Sequence, residues 1–333
     1  MMLAPVVELR GVSKQFARPI DFIEKMASKF GVSDRKTVMR AVDSVDLRVS
    51  PGEAAGLVGE SGCGKSTLGR IIAGLHEPSE GTVLLHGVDR TILTKDERRR
   101  ARLTVQMIFQ DALASLNPRY KVREIVGEAP RIHGLVARAD FDRFIDATLG
   151  DVGLDPTYKL RYPHQLSGGQ RQRVCIARAL AVNPEFVVCD EPVAALDVSI
   201  QAQIINLFIK LREHMNLSYL FISHDLGVIE HVADRIFVMY LGRIIESAPT
   251  EALFAKPNHP YTQALLGEVP RFDQGRRQFA PVKGEIPSSF DPPAGCYFHP
   301  RCPHAMVRCR IEAPVLKEIS SGRASACHLN DRA

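Results

Sequence analysis

The sequence predicts an α/β fold: a phosphate-binding core on a parallel sheet, an antiparallel β subdomain, a helical insert and a cysteine-bearing C-terminal extension. Three observations point there. GESGCGKST (59–67) is a glycine-rich turn between the apolar run AAGLV and the helix-like STLGRIIAGL. EFVVCD (185–190) and LSYLFIS (217–223) are short, nearly continuous apolar runs, the pattern of strands buried on both faces. The long helix-like segment VSIQAQIINLFIKLREHM separates those two runs, which makes a βαβ unit.

The remaining elements follow in order. VVELRGV (6–12) and SVDLRVS (44–50) alternate apolar and polar residues, as half-buried antiparallel strands do. Between them, in 17–41, Phe22, Ile23, Met26 and Phe30 recur at helical spacing. That stretch reads as a surface helix packed on its own domain, or as a partner-docking insertion. ERRRAR (97–102) reads as a solvated helix face. The stretch of about 111–169 holds the helix-like FDRFIDATLGDVGL and no buried strand, so it is expected to be a helical insert. DRIFVMYLGRIIES, with its Leu-Gly turn, looks like a hairpin that closes the sheet. Beyond residue 250 prolines accumulate, which predicts an irregular appendage and a division into 1–250 and 251–333.

Composition bounds the function. The chain has 333 residues, 45% hydrophobic and 24% charged, which argues against disorder and fibrous repeats. No apolar run approaches the roughly 18–20 residues of a membrane span. Glu8 and Arg10 arrive too early for a signal-peptide core, so no export is expected. The net charge of +5 suits an anionic ligand or an inner membrane surface and is too mild to imply nucleic acid.

The glycine-rich turn fits G-x-x-x-x-G-K-[ST] in the context that this motif requires. Gly62 and Gly64 let backbone N–H groups turn inward around phosphate oxygens, and the following helix adds a favourable dipole. Lys65 would reach the β- and γ-phosphates, and the Ser66 hydroxyl would coordinate Mg²⁺. The candidate nucleotide-binding residues are thus Gly59, Ser61, Gly62, Cys63, Gly64, Lys65, Ser66 and Thr67. FVVCDE supplies the second half: a buried strand ending in Asp190, for the magnesium shell, and Glu191, to polarise the attacking water. These residues together describe a nucleoside-triphosphate hydrolase.

LSGGQRQR (166–173) lies about twenty residues before that acidic strand end. With it, the chain resembles the ATP-binding subunits of ABC transporters from about Val6 to Ala248. The resemblance implies that Ser167, Gly168, Gly169 and Gln170 grip the γ-phosphate of ATP held by an opposite subunit, so that two chains pair head to tail around two ATPs. It further implies roles for Gln110 in MIFQD as the magnesium and transmembrane-partner sensor, and for Ala195, Leu196 and Asp197 as the dimer-contact loop. His224 in FISHD would be the γ-phosphate switch, and Phe16 the aromatic that stacks on adenine. Coiled-coil and tandem-cassette relatives that act on nucleic acid or in translation do not match, because 124 residues separate Lys65 from Asp190 and only one cassette is present.

FQDALASLNPR (109–119), NHPYTQALLGEVP (258–270) and the cysteine-bearing end are similar to the ATPase subunits of bacterial dipeptide and oligopeptide importers, whose relatives import nickel or certain sugars. The insertion after Phe16 looks like the second of the two ATPase types in those systems. The resemblance implies a homologous ATPase partner (a heterodimer, or else a homodimer), two transmembrane permease subunits, an extracytoplasmic binding protein, and a peripheral position on the cytoplasmic face of the inner membrane. Four of the seven cysteines, Cys296, Cys302, Cys309 and Cys327, share 32 residues with spacing C-x5-C-x6-C-x17-C. Spacing allows a four-thiolate site and no more. The resemblance implies a [4Fe–4S] cluster there, with structural zinc or a metal-free tail as alternatives.

Overall fold

The computed structural model describes residues 4–17, 38–267 and 284–332. The helix expected within 17–41 therefore falls largely outside the described residues. Two sheets organise the rest. The first is antiparallel, in the order β2-β1-β4-β5, formed by β1 (Val7–Ala17), β2 (Val38–Val49), β4 (Glu80–Leu85) and β5 (Val88–Asp89). The second runs β11-β12-β10-β9-β3-β8-β7-β6. Its parallel centre consists of β3 (Ala54–Val58), β6 (Val105–Ile108), β7 (Phe186–Asp190), β8 (Ser218–Ser223) and β9 (Arg235–Tyr240).

Side chains alternate across this sheet, as the two-residue period requires. Leu57, Val188, Leu220 and Ile222 pack toward the antiparallel sheet, together with Leu68, Ile71 and Ile72 of helix α1 (Lys65–Ile72). Helix α2 (Lys95–Thr104) carries ERRRAR with no buried residue, so that run is a solvated face. The helical insert contains α3 (Val122–Ile132) and α4 (Phe141–Asp151), and α5 (Gly168–Leu180) follows it. On the sheet's other face, Val187, Cys189, Tyr219 and Phe221 meet α5 and α6 (Val198–Met215), the crossover of the expected βαβ unit.

The C-terminal extension departs from the irregular appendage expected from its prolines. After β10 (Arg243–Pro249), the antiparallel hairpin partner of β9, the short strand β12 (Arg323–Ser325) pairs with β10, and β11 (Lys317–Ser320) pairs with β12. The extension thus widens the main sheet. Helix α7 (Pro260–Gly267) attaches through fully buried Glu246, whose carboxylate accepts the N–H groups of Asn258 and His259, each at 2.8 Å.

Two predictions follow from this packing. Ile222 is fully buried near the C-terminal end of β8, so Ile222→Ala should cost about 2–5 kcal/mol, read from the denaturant midpoint. His259 is buried, its Nδ1 accepts the Tyr261 N–H, and burial holds its imidazole down to about 3. It is neutral in the folded chain, whereas the unfolded chain takes up this proton below about pH 6.5. Its stabilising contribution is therefore complete above pH 6.5 and shrinks as pH falls toward 3. Stability should drop by about 2 kcal/mol between pH 7 and pH 5 on its account, and His259→Gln should lack that part of the pH dependence.

Candidate functional site

The glycine-rich loop leaves the C-terminal end of β3, between neighbouring parallel strands, where open α/β sheets place their ligands. Its glycines are required by crowding. A Cβ on Gly64 would stand 2.0 Å from the Ala41 carbonyl oxygen, and one on Gly59 would stand 2.2 Å from that of Met239. Both have positive φ, 108° and 153°. Gly64 opens α1 with no side-chain cap and no acidic residue in the first turn, so the helix's N–H groups stay available to an anion.

Beside the loop is a cavity of about 380 Å³, lined by Ser61, Gly62, Gly64, Lys65, Ser66 and Thr67, with Gln110, Glu191 and His224 opposite, and with Met39, Ala41 and Ser289. Lys65 Nζ donates to the carbonyls of Gly59 at 2.7 Å and Glu60 at 2.9 Å, and lies 3.9 Å from the buried Cys63 sulfur. Ser66 Oγ donates to Asp190 Oδ1 at 2.9 Å. Burial raises the Asp190 carboxyl from its ordinary value, with the Ser66 hydrogen bond opposing. A hydroxyl and a carboxylate in contact beside a phosphate loop are the donor set that Mg²⁺ takes from such sites.

Glu191 is the meeting point of three motifs far apart in sequence. Gln110 Nε2 donates to its Oε2 at 2.6 Å, and His224 Nδ1 lies 3.0 Å from its Oε1. The backbone there has φ 47°, a left-handed conformation unusual for a glutamate, and the Glu191 N–H donates to Ile222 O at 2.9 Å. Such strain persists only where the surroundings impose it, and it turns the carboxylate into the cavity instead of along the strand. A carboxylate held between an amide and an imidazole is oriented as a general base requires.

The remaining expected residues lie elsewhere. Ser167 caps α5: its hydroxyl accepts the Gln170 N–H at 3.3 Å, while Gln170 Oε1 accepts the Ser167 N–H at 3.0 Å. Gly168 and Gly169 begin the helix, so a second helix N-terminus is presented by glycines. None of these four lines the cavity of the same chain. Leu196 is the nearest neighbour to a Cβ built on Gly168, at 3.5 Å, which sets the Ala195–Asp197 loop beside LSGGQ. Asp197 is exposed and the next residue, Val198, is 81% exposed. Phe16 pairs with Met39 in the β1–β2 ladder and packs edge-on to His76 at 5.8 Å; Met39 lines the cavity and Phe16 does not.

The tail brings its cysteines near one another without gathering them into a preformed ligand set. All seven cysteines are free. The Cys296 N–H donates to Cys309 O at 2.8 Å. Burial pushes the Cys296 thiol up to about 11, and the fields of Cys309, Cys327 and Cys302 add to the rise. Among the described residues no three His, Cys, Asp or Glu side chains are grouped as a metal ion would need.

Sequence reasoning missed the tail's contribution to the nucleotide loop. Arg301 forms a two-pronged ion pair with Glu60, the second residue of GESGCGKST, at 2.7 and 2.8 Å. Tyr261 Oη accepts the Glu60 N–H at 2.9 Å. The available signal was an acidic residue inside an anion-binding loop, which calls for a neutralising partner.

Comparisons with known proteins agree with this geometry. A family model described as ABC transporter matches residues 42–194, and one described as oligopeptide/dipeptide transporter, C-terminal region, matches 245–309. The oligopeptide transport ATP-binding protein AppF of Bacillus subtilis is 46% identical over 329 residues, covering 97% of each chain. The solved dimeric, post-hydrolysis structure of the ATP-binding cassette MJ0796, bound to ADP and Pi, is similar with a TM-score of 0.62 and 29% identity, covering 73% of this chain and 98% of that one. Relatedness of this degree over nearly the whole chain shows that this chain belongs to the ATP-binding subunits of ABC transporters, in the group that bears the oligopeptide/dipeptide C-terminal region.

Proposed function

We propose that the chain binds and hydrolyses ATP to drive import of dipeptides or oligopeptides through a membrane permease. The observation that carries this reading is the convergence of Gln110 and His224 on the Glu191 carboxylate, beside the phosphate loop. The peptide class is supported by the C-terminal region match and by the name of AppF.

In this reading Lys65 releases the loop carbonyls and takes the β- and γ-phosphates. Ser66 and Asp190 hold the magnesium shell, with Gln110 at its edge. Glu191 orients and deprotonates the attacking water, and His224 binds the γ-phosphate. The loop residues Gly59 to Thr67 wrap the phosphates, with Phe16 toward adenine. Exposed Ser167 and Gly168, with half-buried Gly169 and Gln170, stand near the Asp197 loop and are the half-site offered to the ATP of a second ATPase subunit. Their distance from the chain's own cavity supports such a pairing, with a heterodimer as the favoured form. Two permease subunits and an extracytoplasmic binding protein complete the machine at the cytoplasmic face of the inner membrane. Among the described residues no helix is long and apolar enough to cross a membrane, which suits a peripheral subunit. ATP does the work through its different affinity for the open and closed pairs.

Cys296, Cys302, Cys309 and Cys327 are the candidate ligands of an iron–sulfur cluster. Their freedom from disulfides and their mutual fields support this, and rotation of the thiols into one group would be needed. A bound cluster would supply a structural cross-link to a segment with little core of its own.

Glu191→Gln should retain ATP binding while turnover falls by at least about a hundredfold, measured as phosphate release from the assembled transporter. Full turnover would remove Glu191 as the base. Anaerobic purification with iron, sulfide and zinc assays should find about four irons and four sulfides per chain. A single zinc, or no metal, would discard the cluster.

A further inference from the structure

We infer that Arg301, in the C-terminal extension, is a positioning residue for the nucleotide loop, acting through Glu60. This rests on the reading of that loop as the ATP site.

Glu60 is an anion within a loop built to receive anions. A free carboxylate there would oppose an incoming triphosphate and would compete with it for Lys65. The tail removes this conflict. Arg301 Nη1 donates to Glu60 Oε2 and Nη2 to Oε1, and the arginine side chain is only 4% exposed, against 22% for Glu60. A two-pronged pair of this kind fixes direction as well as charge. The guanidinium lies against Tyr240, with Cζ 5.9 Å from the ring centroid, and Tyr240, Tyr261 and Phe298 pack in mutual contact at centroid distances of 4.8–5.4 Å. The arginine is thus held beside one aromatic ring of the core sheet, Tyr240, and two of the tail, Tyr261 and Phe298.

Two further bonds act on the same residue. Tyr261 Oη accepts the Glu60 N–H, and Lys65 Nζ donates to the Glu60 carbonyl. Side chain, amide and carbonyl of Glu60 are each engaged, so the loop is set before any phosphate arrives. Arg301 Nε is buried with no hydrogen-bond partner. An arginine kept in place only for stability would be an expensive choice, because a buried charge with an unsatisfied donor carries a desolvation cost. Holding the loop open to phosphate gives that arrangement a use.

The test is equilibrium binding of MgATP to the purified full-length chain, with thermal unfolding followed in parallel. Arg301→Gln should weaken ATP binding about tenfold, and adding Glu60→Gln to it should restore most of that loss, because the freed carboxylate is what does the harm. Arg301→Lys, which keeps the charge and loses the fork, should recover an intermediate affinity, and it serves if Arg301→Gln fails to fold. Unchanged affinity in Arg301→Gln, or losses that simply add in the double variant, would overturn the proposal. Lys65→Ala separates the two readings. If it abolishes binding while Arg301→Gln binds normally, the positioning role falls and the ATP site stands. If Lys65→Ala binds ATP as the parent does, the ATP-site reading falls and the positioning role falls with it.

Discussion

A phosphate-binding loop has to present bare backbone N–H groups, and this constraint shapes much of the surrounding structure. The loop's glycines bring no side chains with which to pack, so its form must be imposed from outside. Carbonyls of Ala41 and Met239 stand where Cβ atoms of Gly64 and Gly59 would be. The Gly242 N–H donates to the Cys63 carbonyl at 2.8 Å, and Tyr261 and Arg301 hold Glu60. Strand β2, the β9–β10 turn and the C-terminal extension are therefore all walls of one loop. The antiparallel sheet and the tail, which look peripheral to a parallel-sheet enzyme, are parts of its phosphate cradle.

The strand order likewise governs Gln110, Glu191 and His224. The ends of β7 and β8 and the segment after β6 are adjacent because the sheet orders them so, and this adjacency lets Gln110 and His224 reach one carboxylate. The signature helix α5 starts on exposed surface, with Leu196 close to Gly168. A single chain thus gathers Gln110, Glu191 and His224 around one cavity and sets the glycine-led start of α5 apart from it.

Legibility in the sequence followed the reach of the interactions. The β3–loop–α1 unit, β7, β8 and the β9–β10 hairpin were readable because continuous apolar runs and glycine turns are local signals. Strand β6 is four residues long and follows helix α2 without a turn, so it has no punctuation of its own. Strands β11 and β12 are short and mostly polar, and their pairing depends on β10, more than seventy residues away; prolines nearby suggested irregular chain instead. Gln110, Glu191 and His224 were legible as motifs, but their convergence needed the strand order. The resemblance pointed to Phe16 as the adenine-stacking aromatic, whereas the cavity wall is made by its ladder partner Met39. Arg301 had no local signal at all.

The contact between Glu60 and Arg301 spans 241 residues of chain. During synthesis the loop, the parallel strands and Glu191 are all made long before the arginine that pairs with Glu60 leaves the ribosome. A nascent or prematurely ended chain accordingly carries every recognisable motif of an ATP site while its loop still has an unneutralised glutamate. Until residue 301 has been made, the loop therefore lacks the partner of its own glutamate.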